Sequence, residues 1–302
     1  MSVPARRFPI PTRHYPRRHP PIRRPSLLDL PVARAGMALL ILIAAAVVVG
    51  PAVVGRSPEA VQVEAALRPP QSAYPLGTDM FGRDVLSRLL HGGRLSLGAG
   101  VAAVLVALVA GSFLGIVAGY RGGLLDELIS AGANVLLAFP GLLLALVLTW
   151  LLGRGIENAA LGVAVAGVPV YIRLARARVR QLRRAAYVRA AQAVGAREGR
   201  ILLRHILPNA ASQLISVAVL DLGWAILHVS AISFLGVGAR PPQPEWGLML
   251  AESRSYLRQA PWLGVAPGAA IAATVLAANL LADAVQVRLD PAGPYHLRPA
   301  RG

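Results

Sequence analysis

The sequence predicts an all-α membrane protein that crosses the bilayer six times. Hydrophobic residues make up 55% of the 302 residues, the mean hydropathy is +0.56, and only 15% of the residues are charged. The charged residues fall in clusters that separate long apolar runs. A helix needs about 20 predominantly apolar residues to cross the hydrocarbon core. We therefore interpret each run as one transmembrane helix.

Six apolar runs are the candidate spans. Uncharged runs of sufficient length occupy residues 35–54, 95–120, 128–153 and 260–282. The run at 206–239 is interrupted only by Asp221. The run at 158–172 is shorter, but it counts as a span because it can continue past Arg173, whose long side chain can reach the membrane interface.

These spans predict the organisation of the chain. Residues 1–34, dense in Pro and Arg, are expected to be a disordered tail, since proline prevents helix formation there. Residues 35–54 form the first span, because they are too long for a cleaved signal and no A-x-A-like site follows. The remaining divisions are a loop with a short amphipathic helix at 55–94, a core of five spans at 95–285 that contains a polar loop at 173–208, and a tail at 286–302.

The distribution of positive charge predicts the orientation. With the N-terminus in the cytoplasm, 22 arginines lie on the inner side and 9 on the outer side. Inner loops carry the excess of basic residues in membrane proteins. Both termini and residues 173–205 are therefore expected in the cytoplasm, and the excess charge also attracts anionic membrane lipid.

The residue types exclude several functions. All 31 basic residues are Arg, so the chain lacks the Lys that a phosphate-binding loop or a Schiff base requires. The absence of Cys removes disulfides, thiolate nucleophiles and cysteine metal sites. Nucleic-acid binding through the N-terminal tail is disfavoured, because Phe8 and Tyr15 are the only aromatic residues there.

The polar loop at 173–208 has the pattern of two short helices joined by a turn. Gly195 can adopt a left-handed conformation that ends one helix before another begins, and Pro208 fits the first turn of the next span. Small side chains at Ala190 and Ala191 would permit close approach of a partner. The pattern alone equally allows an amphipathic helix lying on the membrane surface. The apolar positions at helical spacing in the first helix are Leu182, Ala186, Ala190 and Val194.

This loop resembles the coupling loop of bacterial binding-protein-dependent ABC importer permeases. The residues that carry the resemblance are Tyr-Val-Arg-Ala-Ala-Gln-Ala-Val-Gly at 187–195 and Arg-His-Ile-Leu-Pro-Asn at 204–209. The chain departs from the family at Arg189, where a Glu is usual. The resemblance implies the type I importer permease fold, with cytoplasmic coupling helices. It assigns contact with the ATPase to Arg189, Ala190, Ala191, Gly195, His205 and Pro208.

Two further segments narrow the family. Residues 75–97 and 233–250 resemble the C-type permease of dipeptide, oligopeptide and nickel importers, and the resemblance covers roughly residues 30–292. It implies a multi-pass subunit of the bacterial inner membrane that is not an enzyme and needs no cofactor. Implied partners are a homologous second permease, two ATP-binding subunits and an extracytoplasmic substrate-binding protein. The implied substrate is a peptide, or nickel or another metal chelate.

Asp221 and His228 are the candidate pathway-lining residues. A spacing of seven places both on one side of the fifth span, and an ionisable residue inside the membrane suggests a function. The alternative is that Asp221 pairs with Asn279 or backbone carbonyls and fixes helix packing. No metal site is predicted, since two ligands are too few.

A stand-alone secondary transporter or channel is the alternative class. It predicts inverted repeats and further charges inside the spans, and neither is evident in the sequence.

Overall fold

A computed structural model describes residues 31–289, and the surroundings of side chains as far as residue 285. That stretch contains no β-strand beyond two isolated bridges, so the all-α prediction is confirmed. Three short helical segments are of other types: the 3-10 turns Val63–Ala65 and Arg254–Tyr256, and the π-helical turn Leu202–Ile206. The α-helices are α1 (Pro31–Val54), α2 (Val85–Arg121), α3 (Gly123–Leu137), α4 (Gly141–Leu152), α5 (Ile156–Arg183), α6 (Ala186–Ala193), α7 (Glu198–Ile201), α8 (Leu207–Phe234), α9 (Trp246–Ser253) and α10 (Trp262–Leu289).

Five helices in the described chain are long and apolar enough to cross a membrane. They are α1, α2, α5, the continuous stretch Glu198–Phe234 that contains α7 and α8, and α10. The predicted third span at 128–153 is instead split into α3 and α4, which meet at an angle of 93°. Pro140 explains the break, because proline disfavours helical backbone in the preceding residue and then starts the next helix. A sixth span exists only if this bent pair crosses as one unit.

Several boundaries differ from the expected ones. Helix α1 begins at Pro31, where proline is tolerated in a first turn, so four residues of the expected tail are helical. The rest of both predicted tails, residues 1–30 and 290–302, lies outside the described residues. The short amphipathic helix expected within 55–94 is the first part of a continuous α2, which Asp84 caps by accepting a hydrogen bond from the Leu86 N–H at 3.0 Å.

Helices α2 and α5 form the centre of the bundle, and small residues let them touch. A Cβ added at Gly111 would lie 2.5 Å from the carbonyl oxygen of Val168, and one at Gly115 would lie 2.5 Å from that of Ile172. Close backbone contact of this kind drives helix association in lipid. Helices α4 and α8 pack against α5, and α1 packs along α10.

A buried charge cluster closes the end of the bundle where α2 begins. Arg88 Nη2 and Arg83 Nη2 donate to Glu252 Oε2 at 2.9 and 3.3 Å, and Arg83 also pairs with Asp79. Two cations therefore face two anions, and the desolvation of each charge is offset by its partners. The cluster ties the loop before α2 to the end of α9.

Helix α9 is held between α2 and α8 by its first turn. Glu245 is fully buried, caps α9 through the Leu248 N–H at 2.8 Å, and accepts a second hydrogen bond from Ser96 Oγ at 2.8 Å. Burial raises the pKa of the Glu245 carboxyl above its ordinary value, and these hydrogen bonds oppose the rise. Gly247 lies so close to α8 that a Cβ there would be 2.1 Å from the Ser230 carbonyl oxygen.

Candidate functional site

The polar loop predicted at 173–208 is almost entirely helical. Helix α5 extends through its first part to Arg183, and α6, α7 and the π-helical turn follow before α8 begins. Gly195 joins α6 to α7 with a φ of 79°, the left-handed conformation expected for it. A Cβ at Gly195 would meet nothing within 4 Å, so backbone conformation alone restricts this position.

Residues 184–208, which we call the coupling segment after the resemblance described above, are folded back onto α5. Val188 of α6 and Ile206 of the π-helical turn are fully buried, and Ile201 of α7 is 1% exposed. They form one hydrophobic cluster with Val179 and Leu182 of α5. Because both short helices contribute to this cluster, the segment and the end of α5 are packed as a unit.

The apolar face of the first short helix differs from the predicted one. The expected stripe ran from Leu182 to Val194, but Val188 is the buried residue and Val194 is 84% exposed. The chain leaves the helix after Arg183 and starts α6 at Ala186, which changes the rotational register. Val194 is therefore an exposed apolar residue beside the Gly195 turn.

The six residues assigned to ATPase contact divide into two groups. Ala191 and His205 are half-buried, and Ala191 packs against the cluster under the segment, which leaves less of its surface for a partner. The His205 ring lies 6.3 Å from the Tyr187 ring, centroid to centroid. The exposed members are Arg189, Ala190, Gly195 and Pro208.

Pro208 lies in the first turn of α8, as expected, but this helix continues directly from the π-helical turn. Proline cannot donate the backbone hydrogen bond that a continuous α-helix requires. The wider π turn accommodates this loss, and the Asn209 Nδ2 donates to the His205 carbonyl oxygen at 2.7 Å. The His-Ile-Leu-Pro-Asn motif thus produces a defined irregularity where the coupling segment joins α8.

A polar contact connects the coupling segment to the end of α2. The Tyr120 hydroxyl donates to the Glu198 carbonyl oxygen at 3.1 Å, and the Arg183 guanidinium lies above the same ring, 5.0 Å from its centroid. Arg183 also donates to the Tyr120 carbonyl oxygen. Helices α2, α5 and α7 are therefore joined at one tyrosine.

A second set of contacts joins α5 to the bent pair of α3 and α4. Asp126 of α3 is 3% exposed and accepts hydrogen bonds from the guanidinium groups of Arg176 and Arg180. Arg173 donates to Asn134 Oδ1 at 2.8 Å. The contacts of Arg173, Arg176 and Arg180 were not predicted from the sequence. Their spacing of three and four residues along α5 could have indicated them, because it places the three arginines on one helix face.

The second feature is a cavity of about 200 Å³ between α2, α4, α5 and α8, which opens beside the exposed side chains of Val170 and Trp224. Asp221 and His228 both contribute to its wall, together with Trp224 and Tyr171. Most of the remaining lining is Ala, Val and Gly. The structure therefore places the two candidate pathway residues on one cavity.

The alternative pairing of Asp221 with Asn279 is not found among the described residues. Asn279 lines a different groove, between α8 and α10. The Tyr171 hydroxyl lies beside the Asp221 carboxyl group, but it has no partner with hydrogen-bond geometry among the described residues. The rotation of α8 explains the difference, because it turns Asp221 towards α5 and away from α10.

Comparison with known proteins identifies the class. Residues 111–292 match the family described as "Binding-protein-dependent transport system inner membrane component". The chain belongs to this family, and it is accordingly a permease subunit of a bacterial ABC importer, a multi-pass inner-membrane protein and not an enzyme. Such a subunit works with other subunits of the importer.

Individual relatives are similar over most of their length. The chain is 44% identical over 225 residues to a dipeptide transport system permease protein, DppC, of Alkalihalophilus pseudofirmus, covering 74% of each chain. It is 43% identical over 222 residues to a glutathione transport system permease protein, GsiD, of Pectobacterium atrosepticum, again 74% of each. It is 38% identical over 265 residues to the DppC of Haemophilus influenzae, covering 86% of this chain and 90% of the relative.

Proposed function

We propose that this permease subunit forms part of the pathway for peptides and is driven by separate ATPases that dock on the coupling segment. The observation that carries this proposal is the packing of α6, Gly195 and α7 on the end of α5. Arg189, Ala190 and Val194 are exposed there, while Val188 and Ile201 hold the segment to the bundle. A partner that pushes on the exposed residues would move α5 as well.

Contacts between α5 and its neighbouring helices connect the coupling segment to the cavity. Tyr120 joins α7 to α2, and Asp126 joins α5 to the bent helix pair. Helices α2, α4, α5 and α8 all contribute to the cavity wall. Rigid helices that move together around a fixed site are the usual basis of alternating access.

Peptides are the substrate class that the comparisons favour. Relatives that share 38–44% of their residues with this chain are named for transport of dipeptides or glutathione. The nickel or metal-chelate alternative has less support, because the described residues hold no group of three or more potential metal ligands. A stand-alone secondary transporter or channel is the alternative class, and it would not need the coupling segment.

The proposed assembly contains a homologous second permease, two ATP-binding subunits and an extracytoplasmic binding protein. The ATP-binding subunits meet the coupling segment in the cytoplasm. Both termini then lie in the cytoplasm as well, in agreement with the excess of arginine on that side. Residues 233–250, at the opposite end of α8, face the outside.

We expect cysteine labelling to report this orientation. The chain has no Cys, so single Cys residues can be introduced at Arg184 and Gln243, both of which are exposed. In intact spheroplasts, a membrane-impermeant maleimide should label the Gln243 variant and should reach the Arg184 variant only after lysis. Labelling of the Arg184 variant alone in intact spheroplasts would reverse the proposed topology.

A further inference from the structure

The cavity between α2, α4, α5 and α8 has an acidic lining, whereas the chain as a whole is strongly basic. The protein carries a formal net charge of +17, and all 31 basic residues are Arg. No Arg lines this cavity, and Asp221 is its one acidic residue. None of the ion pairs in the described residues involves Asp221. The cavity therefore holds an acidic group that has no cationic partner among the described residues.

The other polar groups of the wall are also suited to a cation. His228 Nδ1 lies 2.7 Å from the Trp224 carbonyl oxygen, which can only accept, so Nδ1 carries the proton and donates. In the neutral ring, Nε2 is then left as a hydrogen-bond acceptor. Trp224 is 60% exposed and also lines the cavity, and indole rings attract cations.

Tyr171 adds a second polar group to the cavity wall beside Asp221. Its side chain is 1% exposed, yet its hydroxyl has no hydrogen-bond partner among the described residues. Buried hydroxyl groups almost always have a partner, and an exception requires an explanation. Here the hydroxyl belongs to the cavity wall beside Asp221, where a polar group inside the cavity would satisfy it.

We propose that this cavity is a transient binding site for a protonated amine, with Asp221 as the charged partner and Trp224 as the aromatic one. This inference rests on the proposed function and names the part of a peptide, its terminal ammonium group, that the pathway contacts. An ammonium donates up to three hydrogen bonds, and Asp221 and the Tyr171 oxygen, which lie beside each other, can accept two of them. Pairing the ammonium with the carboxylate also neutralises both charges inside the membrane.

A metal cation fits the same wall less well. Two side chains, Asp221 and His228, would be its protein ligands of the usual types, whereas protein metal sites use three or four. No group of three or more such ligands occurs in the described residues. The exposed indole and the alanine-rich wall instead suit an ammonium that is attached to an apolar group.

The test is protection of a cysteine in the cavity wall. Val170 lines the cavity and is 42% exposed, so Val170→Cys can report its occupancy through the rate of reaction with N-ethylmaleimide. The full-length chain is reconstituted in nanodiscs with its partner subunits, whose cysteines are first replaced. Butylammonium should slow the labelling at concentrations about tenfold lower than 1-butanol, since a charge-assisted contact adds that much affinity.

Variants separate the charge from the packing. In Asp221→Asn, protection by butylammonium should weaken about tenfold and approach that of 1-butanol, while Asp221→Glu should retain most of it. Trp224→Leu should weaken it about threefold, through the loss of the cation–π contact. Asp283→Asn is the matched control, because Asp283 is an exposed acid on α10 away from the cavity, and it should change nothing.

Equal protection by butylammonium and 1-butanol, or protection that survives Asp221→Asn unchanged, would overturn the amine site. So would the absence of protection by both compounds. The assay uses neither ATP nor transport, so its failure leaves the importer role intact. Conversely, failure of ATP-driven uptake with normal protection would count against the proposed function and not against this site.

Discussion

Gly195→Val should lower the substrate-stimulated ATPase rate of the assembled importer about tenfold. Gly195 has a φ of 79°, and a β-branched residue is strongly disfavoured there. No side chain or backbone atom lies within 4 Å of the added Cβ, so steric clash with neighbours is not the cause. The turn itself would change, and α6 would no longer present its exposed residues correctly. The measurement is ATP hydrolysis in nanodiscs with the loaded binding protein.

Two control substitutions test whether the left-handed backbone conformation of Gly195 is the cause. Gly195→Asn should keep most of the activity, because asparagine adopts left-handed conformations far more readily than valine. Gly199→Ala, in α7, is the second control, since a Cβ at Gly199 also contacts nothing within 4 Å and its backbone is helical. Wild-type ATPase rates for Gly195→Val would mean that the turn does not contribute to coupling.

The structure also shows which alanine should be replaced by a large residue to test ATPase docking. Ala190 is exposed, so Ala190→Trp should block docking of the ATPase without disturbing the fold. Ala191→Trp would in addition displace the cluster under the segment, because Ala191 is half-buried. Arg189→Glu restores the residue that is usual in the family, and its effect on the same rate tests whether Arg189 faces an acidic group of the ATPase.

The second large effect is expected from Gly247→Ala at the start of α9. The added Cβ would lie 2.1 Å from the Ser230 carbonyl oxygen, which belongs to the backbone of α8 and cannot rotate away. Overpacking of this kind costs about 1–3 kcal/mol or more. Glu245 and Trp246, both buried, would be displaced with α9. We expect a loss of several degrees in thermal stability, measured by fluorescence-detected size exclusion.

Gly132→Ala provides the control for this substitution. It is the same chemical change in helix α3, where a Cβ meets nothing within 4 Å, and it should leave the melting temperature nearly unchanged. Equal melting temperatures for the Gly247→Ala and wild-type proteins would show that α9 does not pack on α8 as described.

Local features were predictable from the sequence, because they depend on the chemistry of single residues. Apolar length identified the spans, and glycine's freedom at positive φ identified the Gly195 turn. The bend between α3 and α4 was only partly predictable. Pro140 indicates a break, but the angle of 93° depends on how α4 packs against α5.

Features that depend on how helices are rotated were not predictable. The burial of Val188 and the exposure of Val194 in α6 were not predictable, because the register of this helix depends on where the chain restarts after Arg183. The sequence could not decide whether Asp221 lines the pathway or pairs with Asn279 for a similar reason, since helix packing turns Asp221 towards Tyr171. Asp126 was missed, because its arginine partners are about 50 residues away in sequence, at separations of 50 and 54.

Uptake by proteoliposomes decides whether this chain imports peptides with the help of separate ATP-binding subunits. The vesicles contain this chain with its second permease and two ATP-binding subunits, and they receive a radiolabelled dipeptide with the binding protein. The account predicts accumulation that requires ATP and is lost when the ATP-binding subunits are omitted or when Gly195→Val is introduced. Accumulation by this chain alone, driven by an ion gradient and indifferent to the ATP-binding subunits, would contradict it.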